Sequence, residues 1–155
     1  MLPLIVAQKP DVCFDLVGSN PSDRVLALRS EHVRVTGFVT DDELARHYAE
    51  ARVVVAPLRF GAGIKGKVIE ALAFGVPCVT TTIGGQGLQG CDALFISDDP
   101  GECARSVLDL IADDDLWKEH SKRGQDFVRK HFTPEAQWRE IAHAINLHGF
   151  SRATG

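Results

Sequence analysis

Long apolar runs are missing from this chain of 155 residues. A helix that crosses a bilayer needs about 20 successive apolar residues, and no segment of the sequence reaches that length. The apolar start from Met1 to Ala7 is too short for a secretory signal and has no basic residue before it. We therefore expect neither export nor a membrane span. This predicts a cytoplasmic protein, with at most peripheral contact at the inner membrane face in its full-length form.

An excess of positive charge is also missing. The sequence has 17 Lys and Arg against 21 Asp and Glu, which gives a net charge of -4 and a pI near 5.8. A protein that binds nucleic acid regardless of its sequence needs a basic face that displaces counterions from the phosphates. Nucleic acid is therefore not an expected partner.

Clusters of cysteine and histidine are missing as well. The four cysteines form no C-x-x-C pair, and the six histidines are scattered along the chain. Metal sites and redox motifs depend on closely spaced ligands of these types. We therefore predict reduced cysteines, no metal site, no cofactor and no catalytic histidine.

Strand and helix signals alternate along the sequence. Strands are predicted over 12–17, 33–38, 52–56, 78–82 and 93–96, and helices over 22–29, 40–50, 64–74, 100–112, 116–132 and 133–147. Repeated strand and helix with right-handed crossovers form a parallel sheet covered on both faces. The predicted fold class is therefore α/β, in one compact domain over residues 1–148 followed by a frayed tail at 149–155.

The segment from Arg59 to Pro77 is the most informative part of the sequence. It follows a short β-branched strand and opens with Gly61 and Gly63, which can adopt positive φ and let another group approach the backbone. A helical spacing of apolar residues comes next, and Gly75 and Pro77 end the helix. The glycine-rich loop therefore lies between the end of a strand and the start of a helix.

The side chains near this loop suit a phosphate and a sugar ring. Ligands of open α/β sheets bind outside the carboxyl ends of the strands, where helix N-terminal N–H groups favour an anion. Lys65 and Lys67 add positive charge, and Glu70 can accept two hydrogen bonds from a diol such as ribose. The spacing matches neither the dinucleotide nor the P-loop fingerprint, since Lys67 precedes Val68 rather than Ser or Thr. A strand, glycine turn and helix without a ligand is the structural alternative.

Four blocks of the sequence resemble the retaining glycosyltransferases of the GT-B fold in the group called family 4, or glycosyl transferases group 1. The blocks are Val33–Val39, Ala56–Arg59, Gly61–Thr80 and Gly85–Leu88. The resemblance extends from roughly Leu4 to His148 and implies a Rossmann-like fold. It identifies residues 1–148 with the carboxyl-terminal, donor-binding domain of such an enzyme, here as a partial nucleotide-sugar-binding domain.

The resemblance also implies roles for particular residues. In the family, the glycine-rich loop lies against the donor diphosphate and sugar, and the glutamate matching Glu70 binds the ribose hydroxyls. A lysine would neutralise the diphosphate leaving group, with Lys65 as the catalytic candidate and Lys67 as the open alternative. The segment matching Gly37 to Thr40 lies near the nucleobase. The implied donor-binding residues are Val39, Gly61, Gly63, Ile64, Lys65, Lys67 and Glu70, with no metal ligand.

The sequence departs from the family pattern in three ways. Many members carry a glutamate eight positions before the one matching Glu70, where this chain has Ala62. The family domain opens with a central strand and a loop that supplies an arginine and a lysine, and these elements belong before Leu4. The amino-terminal acceptor domain is also absent. A missing central strand leaves unpaired edges, so we expect a fragment with an interrupted sheet, completed by a partner segment or by self-association.

The leading hypothesis is a donor-binding fragment of an enzyme that moves a hexose-type sugar from a nucleoside diphosphate to a glycan, glycolipid or polysaccharide acceptor. The nucleotide sugar is then the substrate. Because catalysis needs both halves of a cleft, the isolated chain is expected to be inactive. Two alternatives stay open, namely a nucleotide-sugar epimerase of the same architecture and a catalytically idle binding domain.

Overall fold

The computed structural model describes residues 1–136, along which strands and helices alternate. The strands are β1 (Phe14–Val17), β2 (Val33–Gly37), β3 (Val54–Ala56), β4 (Cys78–Thr80) and β5 (Leu94–Ile96). The helices are α1 (Leu2–Val6), α2 (Asp23–Leu26), α3 (Asp41–Glu50), α4 (Gly66–Ala73), α5 (Pro100–Ala112) and α6 (Asp114–His131). Every predicted strand is present, and so is each helix predicted before 133, which confirms the predicted order.

Several elements begin or end a few residues away from the predicted positions, and one helix was not predicted at all. The prediction began α4 at 64, but the helix begins at Gly66 because Lys65 has extended backbone angles, φ -94° and ψ 100°. The short helix α1 was not predicted. Pro3 lies in its first turn, a position where proline favours a helix start.

Side-chain caps begin the longer helices. The Thr40 hydroxyl accepts the Glu43 N–H, and the Glu43 carboxylate accepts the Thr40 N–H at 2.8 Å, which together form a capping box. The Thr40 N–H, followed by its hydroxyl, lowers the pKa of Glu43. Asp99 and Asp113 cap α5 and α6 through their carboxylates. These caps explain why the starts of α3 and α5 are readable from the sequence.

The sheet is divided into two parallel parts. β1 pairs with β2 in the first part. In the second, β3, β4 and β5 are neighbours, with Val55 opposite Val79 and Val79 opposite Phe95. Within residues 1–136, no strand pairing joins the two parts. The expected interruption of the parallel sheet is therefore confirmed.

Helices cover both faces of the three-stranded part. On one face, Cys78 of β4 lies in a buried cluster with Leu72 of α4, and Phe127 of α6 packs against it. On the other face, Val79 of β4 lies in a cluster with Ile5 of α1 and with buried residues of α5. Successive residues of a strand point to opposite faces, so α4 and α6 cover one face and α1 and α5 cover the other. The predicted α/β class is confirmed.

The two parts of the sheet share one buried cluster. Val12 and Phe14, at the start of β1, pack against the same residues as Val53 and Val55, at β3. The buried members of this cluster come from α1, β4 and α5. β1 and β3 are thus backed by the same helices, although their edges are not paired with each other in the described part of the chain.

Two predictions fall outside the described residues. The helix predicted over 133–147 is described only at its start, where the Thr133 hydroxyl accepts the Ala136 N–H at 3.2 Å. That bond is the one expected of an N-cap residue. The tail predicted over 149–155 lies wholly outside the described residues.

All four cysteines are unpaired, and burial raises the pKa of the Cys78 thiol to about 12. Such a thiol is an unreactive core residue. Among residues 1–136, no helix is both long and apolar enough to cross a membrane.

Packing between α4 and α6 is testable at Leu72, which is 1% exposed and contacts Gly124 of α6 closely. Leu72→Ala should lower the free energy of unfolding by about 2–5 kcal/mol, because it removes buried methyl groups and leaves a cavity. Urea unfolding followed by circular dichroism measures the change. Leu28→Ala is the matched control, since Leu28 is 56% exposed and its loss should cost less than about 0.5 kcal/mol. Equal losses in the two variants would contradict this packing.

Candidate functional site

Two glycine-containing loops leave the three-stranded part side by side. Loop A, residues 57–65, follows β3, and loop B, residues 81–91, follows β4. β3 and β4 are parallel neighbours, so both loops emerge at the same edge. That edge is where open α/β sheets bind ligands. The segment singled out in the sequence therefore lies where the fold places a site.

Loop A closes around the side chain of Lys65. The ammonium Nζ donates to the carbonyl oxygens of Gly61 at 3.1 Å and Gly63 at 2.6 Å. Gly61 and Gly63 have φ values of 120° and 72°, which residues with a side chain rarely adopt. An ammonium has three donors, so these bonds leave one donor of Lys65 for a further acceptor.

The N-terminus of α4 has backbone donors without a side-chain cap. α3, α5 and α6 begin with such caps, but Lys65, which precedes α4, makes no capping hydrogen bond. The N–H groups of Gly66 and Lys67 come before the first amide bonded within the helix, that of Val68, which donates to the Lys65 carbonyl. These donors, the positive end of the helix dipole and the Lys65 ammonium together favour an anion.

The structure separates Lys67 from Lys65. Lys67 is exposed on α4, and in the described part of the chain its ammonium makes no hydrogen bond or ion pair. Lys65 is half-buried and is held by two carbonyls of loop A. Of the two lysines that the sequence left open, Lys65 is therefore the one that the loop positions.

Glu70 lies one turn into α4 and receives a hydrogen bond. It is half-buried, and the Tyr48 hydroxyl donates to its Oε2 at 2.9 Å. Tyr48 lies on α3 and is buried, and no role at the site was predicted for it. The sequence offers one signal for this role, which is that Tyr48 is the single tyrosine of the chain. A buried tyrosine usually finds a hydrogen-bond partner for its hydroxyl.

Threonine hydroxyls at the end of β4 and the start of loop B donate hydrogen bonds to β3, to loop A and to Asp98. Thr80 Oγ1 donates to the Ala56 carbonyl at 2.8 Å, and Thr81 Oγ1 donates to the Leu58 carbonyl at 2.5 Å. Thr82 Oγ1 donates to the Asp98 carboxylate at 2.7 Å. This hydroxyl, followed by the Thr82 N–H, lowers the pKa of Asp98. The prediction treated 78–82 as strand throughout, whereas the strand ends at 80 and the next two threonines anchor the loop.

Loop B also packs against Ile64 of loop A. Gly87 has a φ of 79°, and a Cβ atom there would overlap the Ile64 side chain. Ile64 is nonetheless 50% exposed, so part of its apolar surface stays open to solvent. Loop A is therefore held by its own lysine on one side and by loop B on the other.

Val39 and Ala62 lie apart from these contacts. Val39 is half-buried between β2 and α3, at the carboxyl end of a strand in the two-stranded part. Its predicted place near a nucleobase stays a prediction. Ala62 is exposed in loop A and supplies no carboxylate there. Across residues 1–136, no group of three or more His, Cys, Asp or Glu side chains is arranged to hold a metal ion.

The fold and the loops define a class of protein. A solved structure of sucrose-phosphate synthase from Thermosynechococcus elongatus superimposes with a TM-score of 0.74 at 24% sequence identity. The match covers 96% of this chain and 42% of that one. At this identity the structural match shows the fold alone, and the fold is that of a GT-B glycosyltransferase domain.

The family follows from the sequence comparisons. The model of the family described as glycosyl transferases group 1 matches residues 1–113, and the chain therefore belongs to that family. An uncharacterized glycosyltransferase of Methanocaldococcus jannaschii is 26% identical over 129 residues, which are 77% of this chain and 36% of that relative. The chain thus spans well under half the length of the relative and of the solved structure. The family resemblance read from the sequence is confirmed.

The contact between loops A and B is testable with a pair of glycines. Gly87→Ala should lower the free energy of unfolding by about 1 kcal/mol from backbone strain at positive φ, with a further loss of about 1 kcal/mol from overlap with Ile64. The same variant should shift the amide resonances of Gly61 and Gly63, because Ile64 must move. Thermal unfolding and two-dimensional NMR measure the two effects.

Gly90→Ala provides the matched control. Gly90 has a φ of 80°, but a Cβ atom there would meet no neighbour within 4 Å. It should show the strain and neither the further loss nor the shifts in loop A. The double variant Gly87→Ala with Ile64→Ala should recover the further loss. Identical behaviour of the two single variants would show that the loops do not support each other.

Proposed function

We propose that this chain forms the donor-binding part of a glycosyltransferase that moves a hexose-type sugar from a nucleoside diphosphate sugar to a glycan, glycolipid or polysaccharide acceptor. Membership of the glycosyl transferases group 1 family supports the reaction class. The observation that carries the proposal is the arrangement of loop A, with Lys65 at the uncapped start of α4 and Glu70 one turn further along the same helix.

The diphosphate would bind at the start of α4. The N–H groups of Gly66 and Lys67 and the positive end of the helix dipole favour an anion there, and Lys65, which precedes the helix, has one unused donor. Within loop A, the segment of Gly61, Ala62 and Gly63 presents backbone with little side-chain bulk. A phosphate group can therefore approach the main chain closely.

The ribose would bind at Glu70. Its carboxylate accepts hydrogen bonds from vicinal hydroxyl groups in the bidentate manner that a diol offers. A rise of about 1.5 Å per residue along the helix puts Glu70 about 6 Å from Gly66. The anion and the diol would thus lie along one face of α4, as the parts of one nucleotide.

Catalysis in this proposal is electrostatic. As the bond between the sugar and the diphosphate breaks, negative charge grows on the leaving phosphate, and the Lys65 ammonium stabilises that charge. Ala62 supplies no carboxylate, so the sugar would be bound by backbone N–H groups and by side chains outside loop A. Neither a cofactor nor a metal ion enters this scheme.

The acceptor site belongs to the part of the protein that this chain does not contain. The chain spans 36% of its M. jannaschii relative and 42% of the sucrose-phosphate synthase chain. Transfer needs a donor site and an acceptor site on the two sides of one cleft. The isolated chain should therefore bind donor weakly and transfer nothing. Cytoplasmic location, with peripheral contact at the inner membrane face, is part of this proposal for the full-length protein.

The donor site is testable by titration of the chain with UDP-glucose and GDP-mannose. Glu70→Ala and Lys65→Met should each weaken binding of the donor that the wild type prefers by about tenfold, since each removes a charged hydrogen-bonding group. Isothermal titration calorimetry measures the dissociation constants. Lys67→Met is the matched control, and its change should stay within about twofold because Lys67 is exposed and unpaired among the described residues.

The results separate the proposal from its alternatives. No binding of either donor by the wild type would favour a catalytically idle domain. Equal losses in the two lysine variants would reject the assignment of Lys65. In the full-length protein, a glycoside product would support the transferase. A free epimerised sugar would support the epimerase.

The interrupted sheet is the second part of the proposal, and it concerns the partner. Phe14 donates its N–H toward β2, and Val54 donates its N–H toward β4. Since backbone groups alternate along a strand, the amides of Asp15 and Val55 point to the unpaired side. We infer that a further strand, from a partner segment or a second copy, completes the sheet there.

Hydrogen exchange tests this inference. The amides of Asp15 and Val55 should exchange quickly in dilute samples of the chain, because unpaired strand amides are exposed to solvent exchange. They should become protected when the concentration is raised to the point where sedimentation shows self-association, or when the full-length protein is used. Protection of both amides in a dilute monomer would contradict it. The amides of Phe14 and Val54 serve as internal controls.

A further inference from the structure

Tyr48 reaches the candidate site from a helix that carries none of the donor-binding residues named above. Its hydroxyl donates to Oε2 of Glu70 at 2.9 Å. Tyr48 lies on α3, which connects β2 to β3, and Glu70 lies on α4, which follows loop A. The bond therefore links the helix that begins just after Val39 with the helix that carries the glutamate.

The Tyr48 ring is fixed independently of this bond. It is 9% exposed and belongs to a buried cluster with Ala71 and Val76. Its ring stacks on that of Phe74, with centroids 4.8 Å apart and an interplanar angle of 14°. A ring held on its face and edges has few alternative rotamers, so the hydroxyl is held in place toward Glu70.

The bond engages one oxygen of the Glu70 carboxylate and leaves the other oxygen open to a further donor. Among the described residues, Tyr48 is the hydrogen-bond donor to Glu70, and the bond engages Oε2. An ionised carboxylate accepts through both oxygens, so Oε1 keeps its capacity for further donors. Burial, followed by the hydrogen bond with Glu70, raises the pKa of Tyr48. The phenol consequently stays a donor throughout the physiological pH range.

We propose that Tyr48 is a positioning residue that orients the Glu70 carboxylate toward a ribose diol, and that the pair thereby favours ribonucleoside over dideoxyribonucleoside diphosphates. The inference rests on the proposed role of Glu70. Without the hydroxyl, the carboxylate keeps its charge but loses the contact that fixes its plane. Recognition of two neighbouring hydroxyls depends on that plane, whereas recognition of the diphosphate at the start of α4 does not.

The test uses Tyr48→Phe, which keeps the ring and its stacking on Phe74 and removes only the hydroxyl. The chain is titrated with UDP, GDP and ADP, and then with the 2′,3′-dideoxy analogue of each nucleotide that the wild type binds. For the ribonucleotide, the dissociation constant should rise about tenfold, because a carboxylate that can rotate binds the two hydroxyls less well. For the dideoxy analogue, it should change by less than about twofold. Glu70→Gln should abolish the preference, and Tyr48→Phe in that background should add no further loss.

Ser106→Ala is the matched control for removal of a hydroxyl. Ser106 Oγ donates to the Glu102 carbonyl within α5 at 3.1 Å, away from both loops, and its loss should change neither dissociation constant. If Tyr48→Phe weakens both nucleotides equally, Tyr48 has only a structural role and the inference is wrong. If Glu70→Gln weakens the ribonucleotide and Tyr48→Phe does not, the positioning role alone is wrong. If the wild type binds none of the three ribonucleotides, the proposed function fails, and this inference fails with it.

Discussion

The parallel pairing of β3 with β4 is the constraint on which the candidate site depends. Both strands are short, and β4 is buried along its whole length, so their register is set by packing on two faces. Because the strands are parallel neighbours, loops A and B must leave from the same edge. The Thr80 hydroxyl on the Ala56 carbonyl then ties the two exits together. Two segments that are distant in sequence thereby form one surface at this edge of the sheet.

The orientation of α4 determines which of its side chains lie at the candidate site. Val68 and Leu72 are buried against the sheet and α6, so Glu70 lies on a different side of the helix, where it meets Tyr48. Core packing thus decides where Glu70 points, and the uncapped helix start decides where an anion is favoured. A substitution in the core beneath α4 should displace Glu70 as well, because a close-packed core transmits such changes to the helix that packs on it.

The division of the sheet gives the fold an unusual energetic feature. β1 and β3 share a buried cluster over α1 and α5 and yet are not paired with each other in the described residues. Apolar burial holds them in one layer, while backbone groups facing the gap have no strand partner. Loop A begins at β3, the strand that borders the gap, so the candidate site lies next to the interruption of the sheet.

The sequence predicted the elements well where local chemistry controls them. Thr40 with Glu43 sets the start of α3, and Pro100 after Asp99 sets the start of α5, because a cap is satisfied by residues close in sequence. It predicted less well where distant residues decide. The two residues before α4 stay out of the helix because Lys65 binds the carbonyls of its own loop, and α1 forms where Ile5 can be buried against α5.

The family, the α/β class and the loop with its lysines and glutamate were determined by the sequence alone, since each depends on residue type and on spacing along the chain. The tertiary structure alone decided which lysine the loop holds, that Tyr48 donates to Glu70, and that loop B supports Ile64. These are contacts between segments that only the parallel register and the burial of α3 and α4 bring together. Hydrophobic periodicity indicates which face of a helix is buried, but it carries no information on which distant polar group that face will meet.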